Sequence, residues 1–289
     1  NMIIDINTII EEKKMNLKKK IEKLNNSGIY PKLAVIVASD DEASKIYIKN
    51  KKKICDELGI LQEEYSFISS TSEDEIISLI KNLNEDSTVH GILVQLPLFK
   101  HLNKFKILDS ICYKKDVDAF SRNCSSDIYL GIENILPCTP KGIISILDNL
   151  NVAYEGANAV VIGRSNIVGK PIALALLNRN CTVTICHRKT KDLEKYTKEA
   201  DILIVSAGSP HLVKANMVKE GATIIDVGIN RENGNIIGDV DTKEVSKKAD
   251  VTPVPGGVGK MTVISLIENL VYITEKETKW LYFNHFASF

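Results

Sequence analysis

The sequence predicts an α/β fold of two domains, each built on a mostly parallel sheet that is flanked by helices. Short apolar runs alternate with helical patterns along the 289 residues. The runs lack the strict alternation of half-buried strands, which is typical of strands covered on both faces. Because two parallel strands need a crossover between them, usually a helix, this repetition favours parallel sheets.

Six apolar runs read as strands, and four segments with helical periodicity separate or follow them. The predicted strands are residues 33–37, 91–94, 159–162, 182–185, 202–205 and 223–227. The predicted helices are residues 73–84, 141–150, 171–178 and 261–274.

Two prolines, Pro137 and Pro140, mark the domain boundary. We expect a first domain over residues 1–138 and a second over 139–260, with a C-terminal helix of about 261–289 that packs back on the first. The tail after residue 279 is unusually aromatic. It covers an apolar surface, joins a subunit contact or is non-native sequence, and the sequence leaves these alternatives open.

Composition excludes several classes of protein. Basic and acidic residues both number 37, so the net charge is zero and indicates neither a nucleic acid nor an anionic membrane as partner. No apolar run is long enough to span a bilayer. The six cysteines form no Cys-x-x-Cys pair, which predicts reduced thiols in a cytoplasmic protein, and the five scattered histidines predict no metal site.

Lys51 lies on the apolar face of a helix predicted over residues 43–58. With about 100° between successive residues, it shares a stripe with Tyr47 and with apolar residues one turn further on, whereas four other lysines face elsewhere. Partial desolvation lowers the pKa of such an amine and lets it accept as well as donate a proton. The alternative is a lysine that snorkels at the edge of the core.

Three further features have a chemical and an ordinary interpretation. Gln95 follows the strand 91–94 and can hold the amine of Lys51, or it is a surface glutamine at a turn. Asp118, two residues after another aspartate, can accept two parallel N–H bonds from an amino-heterocycle such as a pterin, or it belongs to a solvated turn. The glycine-rich segment 254–259 can approach a ligand by its backbone, or it is a linker.

Residues 158–171 combine a strand, a glycine turn and a helix start, which predicts a Rossmann-like nucleotide site. Gly163 permits a tight turn, and free amides at the helix start, with Arg164 and Ser165, can meet a phosphate. The spacing departs from Gly-x-Gly-x-x-Gly, so the prediction depends on the position of the turn between strand and helix.

The end of the next strand predicts NADP as the dinucleotide. An NAD enzyme usually places an acid there to hold the ribose, but no carboxylate follows until Asp192. Arg188 and Lys189 can instead neutralise a 2′-phosphate. The alternative is an ordinary basic loop.

Six strings in one order resemble the bifunctional methylenetetrahydrofolate dehydrogenase/cyclohydrolase family. The resemblance covers residues 3–274, and six ordered strings are far more specific than any one of them. The strings are Ser44-x-x-Tyr47-x-x-x-Lys51, Val94-Gln-Leu-Pro-Leu98, Lys115-Asp-Val-Asp118, Pro137-Cys-Thr-Pro140, Gly163-Arg-Ser-x-x-Val-Gly169-x-Pro171 and Pro253-Val-Pro-Gly-Gly-Val-Gly259-x-Met-Thr262.

The resemblance implies two activities in one cleft between the domains. NADP⁺ oxidises 5,10-methylenetetrahydrofolate to the methenyl cation, and water then converts the cation to 10-formyltetrahydrofolate. Four residues are implied in catalysis: Lys51 in proton transfer, Gln95 in tuning it, Asp118 in gripping the pterin and Tyr47 in stacking on the folate. Pro255 and Gly259 are implied in folate binding, together with Gln95, Asp118 and Tyr47.

The resemblance also implies a set of dinucleotide contacts and an oligomer. Family members are usually homodimers joined through the nucleotide domain. Ala119 and Lys260 depart from the family pattern near the folate, where glycine and proline are common. The implied NADP contacts are Thr139, Gly163, Arg164, Ser165, Val168, His187, Arg188, Ala207, Ile229 and Thr262.

Two rival functions stay open on the sequence alone. One is another NADP-dependent two-domain dehydrogenase, for example one that acts on a hydroxy acid ring. The other is a folate- or nucleotide-binding module without catalysis. The presence of Lys51, Gln95 and Asp118 argues against the second rival.

Overall fold

The computed structural model describes residues 2–132 and 134–286, and it divides into two compact α/β units. The three-stranded unit comprises Glu12–Ser126 and Val263–Phe289, and the five-stranded unit comprises Asn1–Glu11 and Asp127–Thr262. The domain limits expected from the sequence stay predictions. The side chains of the aromatic tail, residues 280–289, lie outside the part of the chain that the structure describes.

The three-stranded unit has a fully parallel sheet in the order β2-β1-β3. Its strands are β1 (Lys32–Val37), β2 (Leu61–Ser66) and β3 (Gly91–Gln95). The helices along this part of the chain are α1 (Ile6–Asn26), α2 (Glu42–Leu58), α3 (Glu73–Glu85), α4 (Lys104–Asp109) and α5 (Arg122–Tyr129), with a short 3₁₀ turn at Tyr113–Lys115.

The five-stranded unit has a second parallel sheet in the order β10-β7-β6-β4-β5. Its strands are β4 (Asn158–Ile162), β5 (Thr182–Cys186), β6 (Ile202–Val205), β7 (Thr223–Asp226) and β10 (Asp250–Val251), beside a hairpin of β8 (Asn230–Glu232) and β9 (Asn235–Ile237). The remaining helices are α6 (Cys138–Asn149), α7 (Gly169–Leu177), α8 (Leu193–Thr197), α9 (Thr242–Val245) and α10 (Val258–Phe286).

The predicted α/β class and all six predicted strands are confirmed, with differences in detail. The sequence does not predict β2, β8, β9 or β10. The residues of β2 are mostly polar and mostly exposed at the edge of the sheet, and the other three strands are only two or three residues long. The prediction of burial on both faces was wrong for β5, which is the outer strand of its sheet and leaves Ile185 43% exposed. The central strands β1, β3, β4, β6 and β7 are buried along almost their whole length.

The helix that carries Lys51 has well-formed ends. The side chain of Asp41 accepts a hydrogen bond from the backbone N–H of Ser44 at 2.8 Å and so caps the start. Gly59 ends the helix in the left-handed region with φ of 73°, where glycine carries no Cβ penalty. These two caps fix where α2 begins and ends.

Gly91 lets a neighbouring segment pass close to β3. Asp116 forms a parallel bridge with Ile92, so the chain that leads to Asp118 runs alongside this strand. A Cβ at position 91 would overlap a methyl group of Val117 and come within 2.8 Å of the Leu270 side chain. The close approach therefore depends on the missing side chain.

We expect Gly91→Ala to lower the free energy of unfolding by about 1–3 kcal/mol, because overpacking of a buried site forces its neighbours apart. Urea denaturation followed by circular dichroism measures the change. Gly259→Ala is the matched control, since a Cβ there meets no atom within 4 Å. Equal stability of the Gly91→Ala protein and the parent would contradict this account of β3.

Candidate active site

Lys51 lies on the buried face of α2, and its amine contacts Gln95. The Lys51 side chain is 9% exposed, and its Nζ donates a hydrogen bond to Gln95 Oε1 at 2.9 Å. Ser44, Cys55 and Leu58 are buried on the same face, whereas Lys45, Lys49, Lys52 and Lys53 are exposed. The predicted position of Lys51 among the apolar residues is thus confirmed.

The carbonyl of Leu96 determines which way the Gln95 amide faces. Gln95 Nε2 donates to Leu96 O at 2.9 Å, and the Ser44 hydroxyl reaches the same oxygen at 3.5 Å. The amide oxygen of Gln95 is therefore the atom left to meet the amine. Because a neutral amide rather than a carboxylate is this partner of Lys51, loss of the lysine proton leaves no unpaired buried anion.

Tyr47 and Asp118 are both half-buried in the three-stranded unit. Tyr47 lies one helical turn before Lys51, and Asp118 ends the segment that bridges to β3. Ala119 follows with φ of 56°, the left-handed conformation that a glycine adopts without strain. Alanine in this conformation costs about 1 kcal/mol of backbone strain that a glycine would not carry.

Lys115, in the same charged string as Asp118, has a structural role. It is buried, and its Nζ donates to the carbonyl oxygens of Leu83 at 3.0 Å and Asp86 at 2.7 Å at the end of α3. Burial lowers the pKa of this amine. Asp116 is also buried, and its carboxylate accepts the backbone N–H of Ser121.

The residues expected to contact the dinucleotide gather at one edge of the five-stranded sheet. Parallel strands in the order β7-β6-β4-β5 bring their carboxyl ends to the same edge, where ligands bind in such folds. Ile229 follows β7, Ala207 follows β6, and His187 follows β5. Gly163, Arg164 and Ser165 follow β4.

The glycine turn after β4 has the predicted close packing. The prediction of free backbone N–H groups at the start of α7 was wrong in part, because two of them are hydrogen-bonded within the turn. A Cβ at Gly163 would overlap the carbonyl oxygen of Ser206, and one at Gly169 would overlap the backbone of Gly163. The backbone N–H groups of Val168 and Gly169 donate to Ser165 Oγ at 3.1 and 3.3 Å. The hydroxyl proton of Ser165 and the exposed guanidinium of Arg164 are left for a phosphate.

The turn after β5 suits a phosphorylated ribose. His187 and Thr190 close it, since the N–H of His187 donates to Thr190 Oγ1 and the N–H of Thr190 to His187 O. Arg188 and Lys189 project from it as exposed cations, and the first carboxylate is that of Asp192. A bound 2′-phosphate would meet positive charge here.

Two other predicted dinucleotide residues lie against each other. The hydroxyls of Thr139, at the start of α6, and Thr262, near the start of α10, are 3.0 Å apart. Pro255 is exposed in the loop before α10, and Gly259, the second residue of that helix, is half-buried. Lys260 donates to the side chain of Asn7 at 2.9 Å. Contact of Pro255 and Gly259 with folate stays a prediction.

Asp239 belongs to this edge, although no motif spacing identifies it in the sequence. It is completely buried, and its carboxylate accepts the backbone N–H groups of Ala207, Gly208 and Ser209. Asp226 lies beside it, and burial raises the pKa of Asp226 to about 6 against the opposing effect of its backbone hydrogen bonds. Only the folded contacts reveal these two acids, because residues 209 and 239 are far apart in the chain.

The described residues contain no group of three or more His, Cys, Asp or Glu side chains arranged to hold a metal ion. Within the same residues, no helix has the length and apolar character needed to cross a membrane.

Family models match most of the chain. Residues 4–118 match the model described as tetrahydrofolate dehydrogenase/cyclohydrolase, catalytic domain. Residues 137–278 match the model described as tetrahydrofolate dehydrogenase/cyclohydrolase, NAD(P)-binding domain.

Individual proteins agree with the family models. A protein named bifunctional protein FolD from Campylobacter jejuni (strain RM1221) is 50% identical over 272 residues, which are 93% of this chain and 96% of that protein. A crystal structure of a bifunctional FolD methylenetetrahydrofolate dehydrogenase/cyclohydrolase from Campylobacter jejuni superposes with a TM-score of 0.92 at 48% identity, covering 93% of this chain and 97% of the other. The Trypanosoma brucei dehydrogenase-cyclohydrolase, complexed with NADP and an inhibitor, superposes with a TM-score of 0.91 at 29% identity, covering 96% and 98%.

Proposed function

Because the chain belongs to the tetrahydrofolate dehydrogenase/cyclohydrolase family, we propose that Lys51 transfers the protons in its hydrolytic reaction and that Gln95 holds and tunes its amine. The chain is a bifunctional enzyme of one-carbon metabolism. It oxidises 5,10-methylenetetrahydrofolate to the methenyl compound with NADP⁺ and hydrolyses that compound to 10-formyltetrahydrofolate. The observation that carries the proposal is the buried 2.9 Å hydrogen bond from Lys51 Nζ to Gln95 Oε1.

Lys51 suits the hydrolytic step because that step moves protons near a cation. Water adds to the methenyl carbon and loses a proton, which leaves a hydroxyl group on that carbon. The hydroxyl then loses its own proton and becomes the formyl C=O, while the bond from the carbon to N5 breaks and N5 gains a proton. A general acid–base group must therefore accept and donate in turn. A lysine held by a neutral amide does both without leaving an unpaired anion, and in its neutral form it does not repel the cationic substrate.

Tyr47, Asp118, Pro255 and Gly259 complete the proposed folate contacts. The ring of Tyr47, one turn from Lys51, stacks on the flat substrate. The carboxylate of Asp118 accepts parallel N–H bonds from the pterin, which fixes the ring in its plane. Orientation of this kind is the main requirement of the oxidative step, since hydride transfer needs two rings held at a defined geometry.

NADP⁺ accepts the hydride when it is bound, and the chain's own residues hold it. Arg188 faces the 2′-phosphate, Arg164 and Ser165 meet the diphosphate, and Gly163 and Val168 shape the turn beside them. Ala207 and Ile229 line the nicotinamide end. Thr139, Thr262 and His187 complete the dinucleotide contacts of the proposal.

A homodimer through the five-stranded unit is part of the proposal. β5 has β4 on one side, and no strand of the described residues pairs with its other side. Its Ile185 is 43% exposed, and Leu177 on the adjoining helix α7 is 54% exposed. A second copy can pair with this edge around a twofold axis and cover the apolar side chains.

The cytoplasmic location expected from the cysteines also stays part of the proposal.

One assay tests the proposed function against its rivals. Purified protein receives tetrahydrofolate, formaldehyde and NADP⁺, and absorbance follows NADPH and the methenyl product. Formation of NADPH followed by decay of the methenyl signal is the expected result. Absence of NADPH from folded protein favours a different dehydrogenase or a binding module, and a methenyl product that never decays faster than in buffer contradicts the hydrolytic role.

We expect Lys51→Met to reduce the cyclohydrolase rate by about 100-fold or more while methylene oxidation partly survives, because general acid–base groups contribute about 10²–10⁴ in rate. Rates measured separately with methylene and methenyl substrates give the comparison. Lys49→Met is the matched control, since Lys49 is exposed on the same helix. Equal loss of both activities in a folded Lys51→Met protein contradicts the assignment.

We expect Arg188→Ala to raise the KM for NADP⁺ about 10-fold and leave the KM for NAD⁺ nearly unchanged. A charge-assisted hydrogen bond contributes about 1.5 kcal/mol or more, which is a factor of ten in affinity. Lys191→Ala removes a nearby exposed cation and serves as the control. A proportional change for both dinucleotides would show that Arg188 does not read the 2′-phosphate.

We expect Ile185→Lys to convert the dimer to a monomer, because a charge on the edge strand opposes pairing with a second copy. Light scattering after size-exclusion chromatography measures the mass. Ile236→Lys is the control, since Ile236 is 38% exposed but lies on β9, outside the five-stranded sheet. A dimer that persists in the Ile185→Lys protein rules out this edge as the interface.

A further inference from the structure

Two completely buried aspartates, Asp226 and Asp239, lie at the edge of the five-stranded sheet and have no part in the proton transfers described above. Burial of a carboxylate is unfavourable unless hydrogen bonds replace its lost water. The bonds that these two acids accept therefore indicate what they hold in place.

Asp239 binds three consecutive backbone amides. Its Oδ2 accepts from Ala207 N at 2.7 Å and Gly208 N at 2.9 Å, and its Oδ1 accepts from Ser209 N at 2.8 Å. Asn230 Nδ2 donates to Oδ1 as well, at 2.8 Å. Successive amides that converge in this way form an anion-binding concavity, and here the anion is the protein's own side chain.

Asp226 holds the backbone that carries Asp239. Its Oδ1 accepts from Gly228 N at 2.9 Å and Asp239 N at 3.0 Å, and its Oδ2 accepts from Val240 N at 2.9 Å. The carboxylate of Asp226 thus connects the end of β7 to the segment that follows the β8–β9 hairpin.

Two glycines permit this arrangement. A Cβ at Gly228 would overlap the carboxyl group of Asp239, and a Cβ at Gly238 would overlap that of Asp226. The backbone passes so close to both acids that no side chain fits at either position. The two carboxylates and the two glycines therefore form one interlocked unit.

The loops fixed by this unit are the ones that carry two proposed NADP contacts. Ala207 is the first of the three amides bound by Asp239, and its side chain is exposed. Ile229 lies between Gly228, which is bound by Asp226, and Asn230, which is bound by Asp239, and it is 51% exposed. Residues that face a ligand are pre-organised for binding when buried hydrogen bonds hold their backbone in place.

We propose that Asp239 is a positioning residue for NADP⁺ binding, which it serves by fixing the backbone of 207–209, and that Asp226 anchors it. The inference rests on the proposed dinucleotide roles of Ala207 and Ile229. It adds two acids that touch neither substrate nor cofactor and act through the loops they hold.

The test is Asp239→Asn in the full-length chain. An asparagine keeps the shape, but each carboxylate oxygen of Asp239 accepts at least two N–H groups, so the new NH₂ group faces donors whichever way it turns. We expect the KM and the Kd for NADP⁺ to rise at least about 10-fold, the cost of roughly one strong hydrogen bond. The cyclohydrolase rate on methenyl substrate, which uses no dinucleotide, stays within about twofold of the parent on the same reasoning.

Asp241→Asn is the matched control. Asp241 is two residues away and caps α9 by accepting the N–H of Glu244, a bond that asparagine also makes, so this variant leaves both the fold and the NADP⁺ constants nearly unchanged. If the Asp239→Asn protein does not fold, Asn230→Ala removes one of the four donors instead. We then expect a KM for NADP⁺ about threefold higher, as a partial loss of the same interaction.

Two results overturn the inference. An unchanged KM for NADP⁺ in folded Asp239→Asn protein, or in Asn230→Ala if that variant is the one tested, shows that the loop does not need the contact. An equal fall of both activities shows that the acid only supports the fold. A parent protein that forms no NADPH refutes the proposed function itself, so the two failures are distinguishable.

Discussion

The hydrogen bond between Lys51 and Gln95 is the interaction on which the proposed chemistry depends. It joins a helix to the end of a strand, and each partner is fixed by the structure around it. The Asp41 cap fixes the start of α2, the helix whose buried face carries Lys51. The Leu96 carbonyl turns the amide of Gln95 so that its oxygen meets the amine. A proton carrier in a buried position needs this degree of support, since a loosely held lysine would reach solvent.

In the five-stranded unit, the parallel order of the strands determines which residues come together at the proposed dinucleotide site. Residues that are more than 60 positions apart, such as Gly163 and Ile229, share one sheet edge because parallel strands end on the same side. Sheet topology alone leaves the loops at that edge with conformational freedom. The buried carboxylates of Asp226 and Asp239 remove that freedom by binding loop amides.

Much of the fold and of the candidate site follows from the sequence, because burial leaves a pattern that can be read locally. The central strands appear as apolar runs, and the stripe on α2 shows Lys51 among buried residues. The strand β2 could not be found this way, since an edge strand needs no apolar run. Two other features were not predicted. Ser165 accepts hydrogen bonds from the amides at the start of α7, and Asp239 accepts them from residues 207–209, so both features depend on contacts between distant or irregular segments. Such contacts have no periodicity.

The outer strand β2 shows how charge can direct self-association. Its Glu63 forms an ion pair with Lys32 at 2.6 Å, and that contact lowers the pKa of the glutamate. Glu64 follows directly and is exposed. Two copies that approached along β2 would bring their exposed Glu64 side chains together, and like charges oppose such pairing. An acidic rim on one sheet disfavours fibre-like stacking there, and the apolar rim of the other sheet is the edge at which the proposed dimer would form.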